Sequence, residues 1–288
     1  ESLIVRLPPG ALQTQRPGEL EVRAGTGDSG DCRVLGLGEL ARQASSSGQA
    51  LFLVFASADV LITRVQLTRK QAKQLRRALP YLLEENLLEA PEELWYAWGR
   101  PDGDDYPVLA CDRAALERLR SWFLQQGVQL SGATSDASLV AERAPLRLAD
   151  EQGVLLLPDA RQALTVTPDE EVAVRQALAP EEGDWGEVTG DDAVLEVLAS
   201  GRARGGYVEL LHGEMRPPAQ GRQGADQSAR WRPLGAFAAV AVVLACVLLG
   251  IQQWRYEQAA EAARQQASRL YKELFPDDRA TAGLRAQF

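Results

Sequence analysis

The sequence predicts an α/β chain in three parts: a two-lobed N-terminal domain, one membrane-spanning helix and a short C-terminal helix. Three observations carry this. The stretch Leu234–Ile251, LGAFAAVAVVLACVLLGI, contains no charged residue, and about 18 apolar residues are enough for a helix to cross a bilayer. Arg230, Trp231 and Arg232 stand before it, and Trp254, Arg255 and Tyr256 after it. Such aromatic and cationic flanks suit the headgroup region. Ahead of the span, strand pairs with intervening helices occur twice. This gives lobe I over residues 1–130 and lobe II over residues 131–212.

Composition narrows the function. The chain is acidic, with a formal net charge of -9 and a pI near 4.9. It therefore offers no basic face for a phosphate backbone, and nucleic acid is excluded as a partner. The three cysteines, Cys32, Cys111 and Cys246, form no C-x-x-C pair, which suits a reducing compartment. The opening residues ESLIVRLPPG have no apolar signal-peptide core, so the N-terminal domain is expected in the cytoplasm with the span as anchor. Counting cations does not fix the orientation. Arg216, Arg222, Arg230 and Arg232 precede the span, and Arg255, Arg264, Arg269 and Lys272 follow it.

Along lobe I, Leu3–Leu7 reads as a strand stopped by Pro8 and Pro9. Leu20–Arg23 and Cys32–Leu35 pair across the Gly-rich turn Gly25–Gly30, and Gly38–Ser47 is helical. Leu51–Phe55, LFLVF, is a continuous apolar run, as in a strand covered on both faces. Val60–Leu67 is its strand partner. Thr68 opens a helix with Gln71 as its capping-box partner. Leu75, Leu79, Leu82, Leu83 and Leu87 give that helix an apolar face, and Pro80 is expected to kink or break it. Leu94–Gly99 and Tyr106–Cys111 are strands around an Asp102-Gly103 turn. Asp112 caps a helix to Gln125 with Leu116, Leu119, Phe123 and Leu124 inward, and Gly127 ends it.

In lobe II, Asp136–Arg143 is a helix, and Val154–Leu157 and Ala163–Thr167 are strands. Pro168 opens a helix to about Leu178. A short helix over Asp192–Ala199 and a strand over Tyr207–Leu211 close the module. Residues 213–233, rich in Gly, Pro, Gln and Arg, form a linker. Beyond the span, Tyr256, Ala260, Ala263, Ala267, Leu270 and Leu274 step by fours and threes, a heptad seam. Carried backwards, the seam passes through Cys246, Val242, Ala239 and Gly235, small residues that let membrane helices approach closely. These four are the expected pairing face of a homodimer.

No motif argues for catalysis. Gly25–Gly30 matches G-x-G-x-x-G and Gly36–Ala41 matches G-x-G-x-x-A, but neither has the strand, helix and acidic residue of a dinucleotide fold. Both read as turns. Gly27-Asp28-Ser29-Gly30 is like a protease nucleophile turn. The only histidine, His212, lies far downstream beside the linker and reads as a solvated side chain. One histidine and scattered cysteines supply no metal ligand set. The pairs Glu84-Glu85, Glu92-Glu93, Asp104-Asp105 and Glu181-Glu182 read as solvated faces, because neighbouring side chains diverge. Trp95 and Trp98 read as part core and part interaction surface. No cofactor is expected.

The stretch Arg76–Glu85, RRALPYLLEE, running on through Leu94–Gly99, resembles the L component of the bacterial type II secretion system. Ser135–Leu139 is similar to that family's link into its second lobe. Leu270–Pro276, LYKELFP, after a single span, is similar to the start of its periplasmic region. The resemblance implies an actin-like, RNase H-related cytoplasmic fold that does not work as an ATPase. Consistently, Leu3–Pro9 lacks the Asp and Gly of an actin-like phosphate loop. It also implies docking of the secretion ATPase (the E component), pairing with the inner-membrane M component and contact with pseudopilins. Family members end in a small ferredoxin-like periplasmic domain, for which residues 252–288 are too short. The resulting expectation is a non-catalytic, single-pass inner-membrane adaptor. Pro80, Tyr81, Glu84 and Glu85 are its expected ATPase contact. A membrane-tethered actin-like ATPase and a single-pass receptor are the alternatives.

Overall fold

A computed structural model of the chain describes residues 2–27, 30–68, 74–84, 87, 90–178, 184–217, 261, 264–265 and 269. It divides into two units, residues 1–218 and 219–288. In the second, the described residues Glu261, Arg264, Gln265 and Arg269 are helical and exposed; none of them is a seam position. The apolar run 234–251 and the pairing face Gly235, Ala239, Val242 and Cys246 lie outside the described residues. Among those described, no helix is long and apolar enough to cross a membrane.

The first unit is built on three sheets. The largest has strand order β3-β2-β1-β4-β8. It comprises β1 (Leu3–Arg6), β2 (Glu21–Gly25), β3 (Arg33–Gly36), β4 (Leu51–Phe55) and β8 (Leu130–Ser135). β4 runs parallel to β1 on one side and to β8 on the other, and all five of its residues are buried, as its unbroken apolar run requires. β2 and β3 pair antiparallel, as expected. β8 begins at residue 130, where the sequence draws its lobe boundary, and completes the sheet of lobe I.

Helices α1 (Leu37–Ser47), α3 (Arg113–Gln125), α4 (Asp136–Val140) and α6 (Asp191–Arg204) supply residues to one core with Phe52, Phe55 and Leu53. Asp112 caps α3 by accepting from the Ala115 amide at 3.0 Å. The Gly-rich turn serves packing against α6. A Cβ on Gly25 would lie 2.7 Å from Leu195 Cδ2, and one on Gly27, whose φ is +94°, 2.1 Å from Ala199 Cβ. These glycines therefore let helix and turn meet.

The second sheet is antiparallel, in the order β5-β7-β6: β5 (Leu61–Gln66), β7 (Asp105–Asp112) and β6 (Leu94–Trp98). Helix α2 (Leu75–Leu83) lays Leu75, Leu79 and Leu83 against Val65, Leu67 and Val108. Burial of each leucine is worth about 1.5–3 kcal/mol. Pro80 does not end the helix, which runs through it. The ring removes only the amide that would reach the Arg76 carbonyl, and Arg76 is on the exposed side. Gln71, the expected cap partner, lies outside the described residues.

The third sheet, β11-β10-β9-β12, comprises β9 (Leu146–Asp150), β10 (Gly153–Asp159), β11 (Gln162–Val166) and β12 (Gly186–Thr189). Helix α5 (Pro168–Ala177) opens with a Thr167–Glu170 capping box. Tyr207–Leu211, expected as a strand, is not one: it is an extended strap.

Candidate partner interface

The strap, residues 207–216, owes its irregular path to one carboxylate. Glu209 accepts from the Ala133 amide at 2.8 Å and from the Leu211 amide at 2.9 Å. It thereby takes the donor that a neighbouring strand's carbonyl would have used, so the strap forms no ladder with β8. Gly132 makes room for it, since a Cβ there would lie 2.5 Å from Glu209 Oε2 and 2.9 Å from Phe52 Cε2. The Leu210 amide still donates to Ala133 O at 2.8 Å. Thr134 Oγ1 donates to Val208 O at 2.7 Å, and the Val208 amide to Ser138 Oγ at 2.9 Å. Burial pushes the Glu209 carboxyl above its ordinary range, against the pull of the two amides.

Further along, the strap meets α2, β6 and α3. Trp95 donates Nε1–H to Leu210 O at 2.9 Å. The His212 ring sits 5.0 Å from the Trp95 ring and 5.4 Å from Trp98, edge-on to the latter. His212 is therefore not a solvated side chain. It is half-buried between two indoles, and burial lowers its pKa. Glu214 then bridges two helices, accepting from Arg76 at 2.7 Å and from Arg113 at 2.9 Å. Its hydrogen bond to Arg76 holds its carboxyl below the usual range. Arg113 also lies over the Trp95 ring at 5.8 Å.

Between α2, β6 and the strap runs a groove of about 210 Å³, whose walls include Pro80, Pro91, Trp95, Trp98 and His212. Of the residues expected to contact a partner, Pro80 lines this groove. Tyr81 stands 79% exposed beside it, with Leu82 at 43%. Glu84 is exposed, and Glu85 lies outside the described residues. Trp95 belongs to the core at 6% exposure, whereas Trp98 is half-buried at the groove.

A second cluster closes the space between the first and third sheets. Arg6, on β1, is buried and pairs with Asp150 of β9 and, at 3.8 Å, with Asp136. Ser57 Oγ donates to Asp136 at 2.5 Å. Arg23 of β2 binds Glu21 and Glu151, both at 2.9 Å, and Asp191 at 3.0 Å. Arginines of one sheet thus meet carboxylates around the other. Ser29, the other half of the weak nucleophile pair, lies outside the described residues.

A family model described as type II secretion system, protein L, matches residues 9–168, more than half of the chain. The chain belongs to this family. A second model, the GspL transmembrane domain, matches residues 227–288, the part that contains the uncharged run. The type II secretion system protein L of Pseudomonas aeruginosa is 27% identical over 232 residues, 78% of this chain and 60% of the relative. That of Pectobacterium carotovorum is 25% identical, over 99% of this chain and 72% of the relative. The chain thus spans less than two thirds of the first relative's length. The solved cytoplasmic domain of EpsL, an inner-membrane component of the type II secretion system of Vibrio cholerae, matches with a TM-score of 0.59. Identity is 16%, over 74% of this chain and 99% of that one. This likeness gives the fold, the α/β actin-like architecture expected for the L family.

Sequence reasoning named the α2 residues but not Arg6, Arg113, Glu209 and Glu214 of this L-family chain. Two carried a signal. Arg6 interrupts the apolar run LIVRL and Glu209 the run VELL. A charge inside an apolar strand pattern points to a buried partner. Arg113 and Glu214 look like any surface charges until the strap brings them together.

Proposed function

We propose that this chain is the non-catalytic inner-membrane platform of a type II secretion system. Its N-terminal unit lies on the cytoplasmic side and docks the secretion ATPase, the E component. Residues 234–251 cross the membrane once. Residues 252–288 work outside with the M component and the pseudopilins. The surface of α2 carrying Pro80, Tyr81 and Glu84, with Glu85 following, is the docking site. Gly235, Ala239, Val242 and Cys246 pair the spans of a homodimer.

The observation that carries the docking site is the exposure of Tyr81 on a helix whose opposite face is locked into the second sheet. A large amphipathic ring on a rigid element is the usual anchor of a protein interface. The same helix holds Glu214 through Arg76. A protein seated on α2 therefore touches the element that fixes the strap, which leads into the linker.

The test is capture of the full chain from bacterial membranes with mass spectrometry of what accompanies it. The expected result is a secretion ATPase retained without added nucleotide, and lost with Tyr81→Asp or with Glu84→Arg and Glu85→Arg together. Retention by those variants moves the interface elsewhere. No ATPase, with ATP hydrolysis by the chain itself, overturns the platform reading.

A further inference from the structure

The turn after β1 binds a carboxylate with backbone amides. The Gly10 amide donates to Asp59 Oδ1 at 3.1 Å and the Ala11 amide to Oδ2 at 2.9 Å. The Leu12 amide and the Gln13 side chain stand close enough to draw its pKa down. Gly10 adopts φ +82°, which bends the chain so that successive N–H groups converge. Such a concavity of amides attracts anions. Asp59 is 9% exposed, and among the described residues no cation forms an ion pair with it. Its carboxyl is held by backbone amides, while burial pushes its pKa above the ordinary range against their pull, unlike the ion-paired carboxylates Asp136 and Asp191.

The turn is also reachable. Leu12, Gln13 and Asp59 line a cavity of about 310 Å³, with Leu94 and Cys111 among its other walls. A group the size of formate, acetate or inorganic phosphate fits such a space. We propose that the turn Pro8–Leu12 is a binding nest for a small oxyanion and that the Asp59 carboxylate fills it in cis as a built-in ligand. The turn then keeps its liganded form with no molecule added. This inference stands whether or not α2 is the docking site.

The test compares the full chain in detergent with Asp59→Ala. The variant should lose about 5–10 °C in Tm, the scale of two or three charge-assisted hydrogen bonds in a unit of this size. Formate, acetate or phosphate should then raise its Tm along a saturating curve and recover about half of the loss, by mass action on an open site. Chloride at the same ionic strength should not, and the wild-type chain should respond to none of them. Carboxylates alone restoring the variant defines a planar nest, and phosphate restoring it as well defines a broader oxyanion nest. A response equal to that of the wild-type chain overturns the proposal. Should Asp59→Ala not fold, hydrogen exchange decides on the wild-type chain and Asp59→Asn. The Gly10 and Ala11 amides should exchange together, and more than about tenfold faster in Asp59→Asn, as expected on losing a charged acceptor. Equal rates in the two chains overturn the proposal.

Discussion

Replacing Trp95 by phenylalanine loosens the strap while leaving the α2 surface in place. The indole is 6% exposed, and its N–H reaches the Leu210 carbonyl at 2.9 Å. Phenylalanine keeps a ring but has no donor. Losing a hydrogen bond to a buried carbonyl costs about 1–2 kcal/mol. The smaller ring leaves a partial void costing about 1–2 kcal/mol more. The sum, about 2–4 kcal/mol, corresponds to a fall in Tm of roughly 5–12 °C for a unit of this size. The assay is thermal unfolding of the full chain in detergent, joined to hydrogen exchange at the strap. The Val208 and Leu210 amides, which donate to Ser138 and Ala133, should lose protection well before the amides of β4. A Tm within about 1 °C of the wild type, or strap protection unchanged relative to β4, refutes the idea that Trp95 fastens the strap.

Four further outcomes are expected. Burial lowers the His212 pKa, so the stability carried by its neutral ring is full above about pH 6.5 and is lost as pH falls through the lower folded value. Urea midpoints followed from neutral to mildly acidic pH should show this slope, and His212→Gln should flatten it; an unaltered slope assigns the acid sensitivity to another group. Arg6→Met leaves Asp136 and Asp150 without their cation and should cost about 3–5 kcal/mol, measured by denaturant unfolding; a cost below about 1 kcal/mol removes the pairing from consideration. Gly27→Ala forces a side chain into a left-handed position 2.1 Å from Ala199 Cβ and should destabilise by about 2–4 kcal/mol, while ATP leaves the Tm of the wild-type chain unmoved; a nucleotide-dependent rise would return the turn to phosphate binding. Gly235→Leu with Ala239→Leu should weaken self-association in a membrane two-hybrid assay, and an unchanged signal rules that face out.

Local rules made much of this fold legible. LFLVF could only be a covered strand, Asp112 and Pro168 mark helix starts by chemistry that needs no tertiary partner, and the spacing of Leu75, Leu79 and Leu83 leaves Tyr81 on the far side of α2, although Leu82, expected on the apolar face, is exposed there too. What could not be read was decided across long sequence separations. β12, Gly186–Thr189, is mostly exposed and has no apolar pattern; it is a strand because β9 lies beside it. Tyr207–Leu211 has the composition of a strand, but the Glu209 carboxylate displaces the backbone partner. His212 looked solvated because it stands beside the linker in sequence, whereas its neighbours in space are Trp95 and Trp98. A break, one of the two outcomes expected at Pro80, does not occur because the rule for isolated helices ignores the three leucines that hold α2 down.

The strap has a mechanical consequence. Tension entering the unit from residue 217 meets its fastenings one at a time: the Arg120 bond to the Arg216 carbonyl, the Glu214 bridge, the Trp95 bond to Leu210, and then the bonds to β8. A β-ladder pulled along its length shares a load among all its bonds. This strap peels instead, so each fastening opens at its own force and the exposed, salt-screened pair at Glu214 yields early. Slack is thus released in steps, and β6 and β8 take up load only once the fastenings ahead of them have opened.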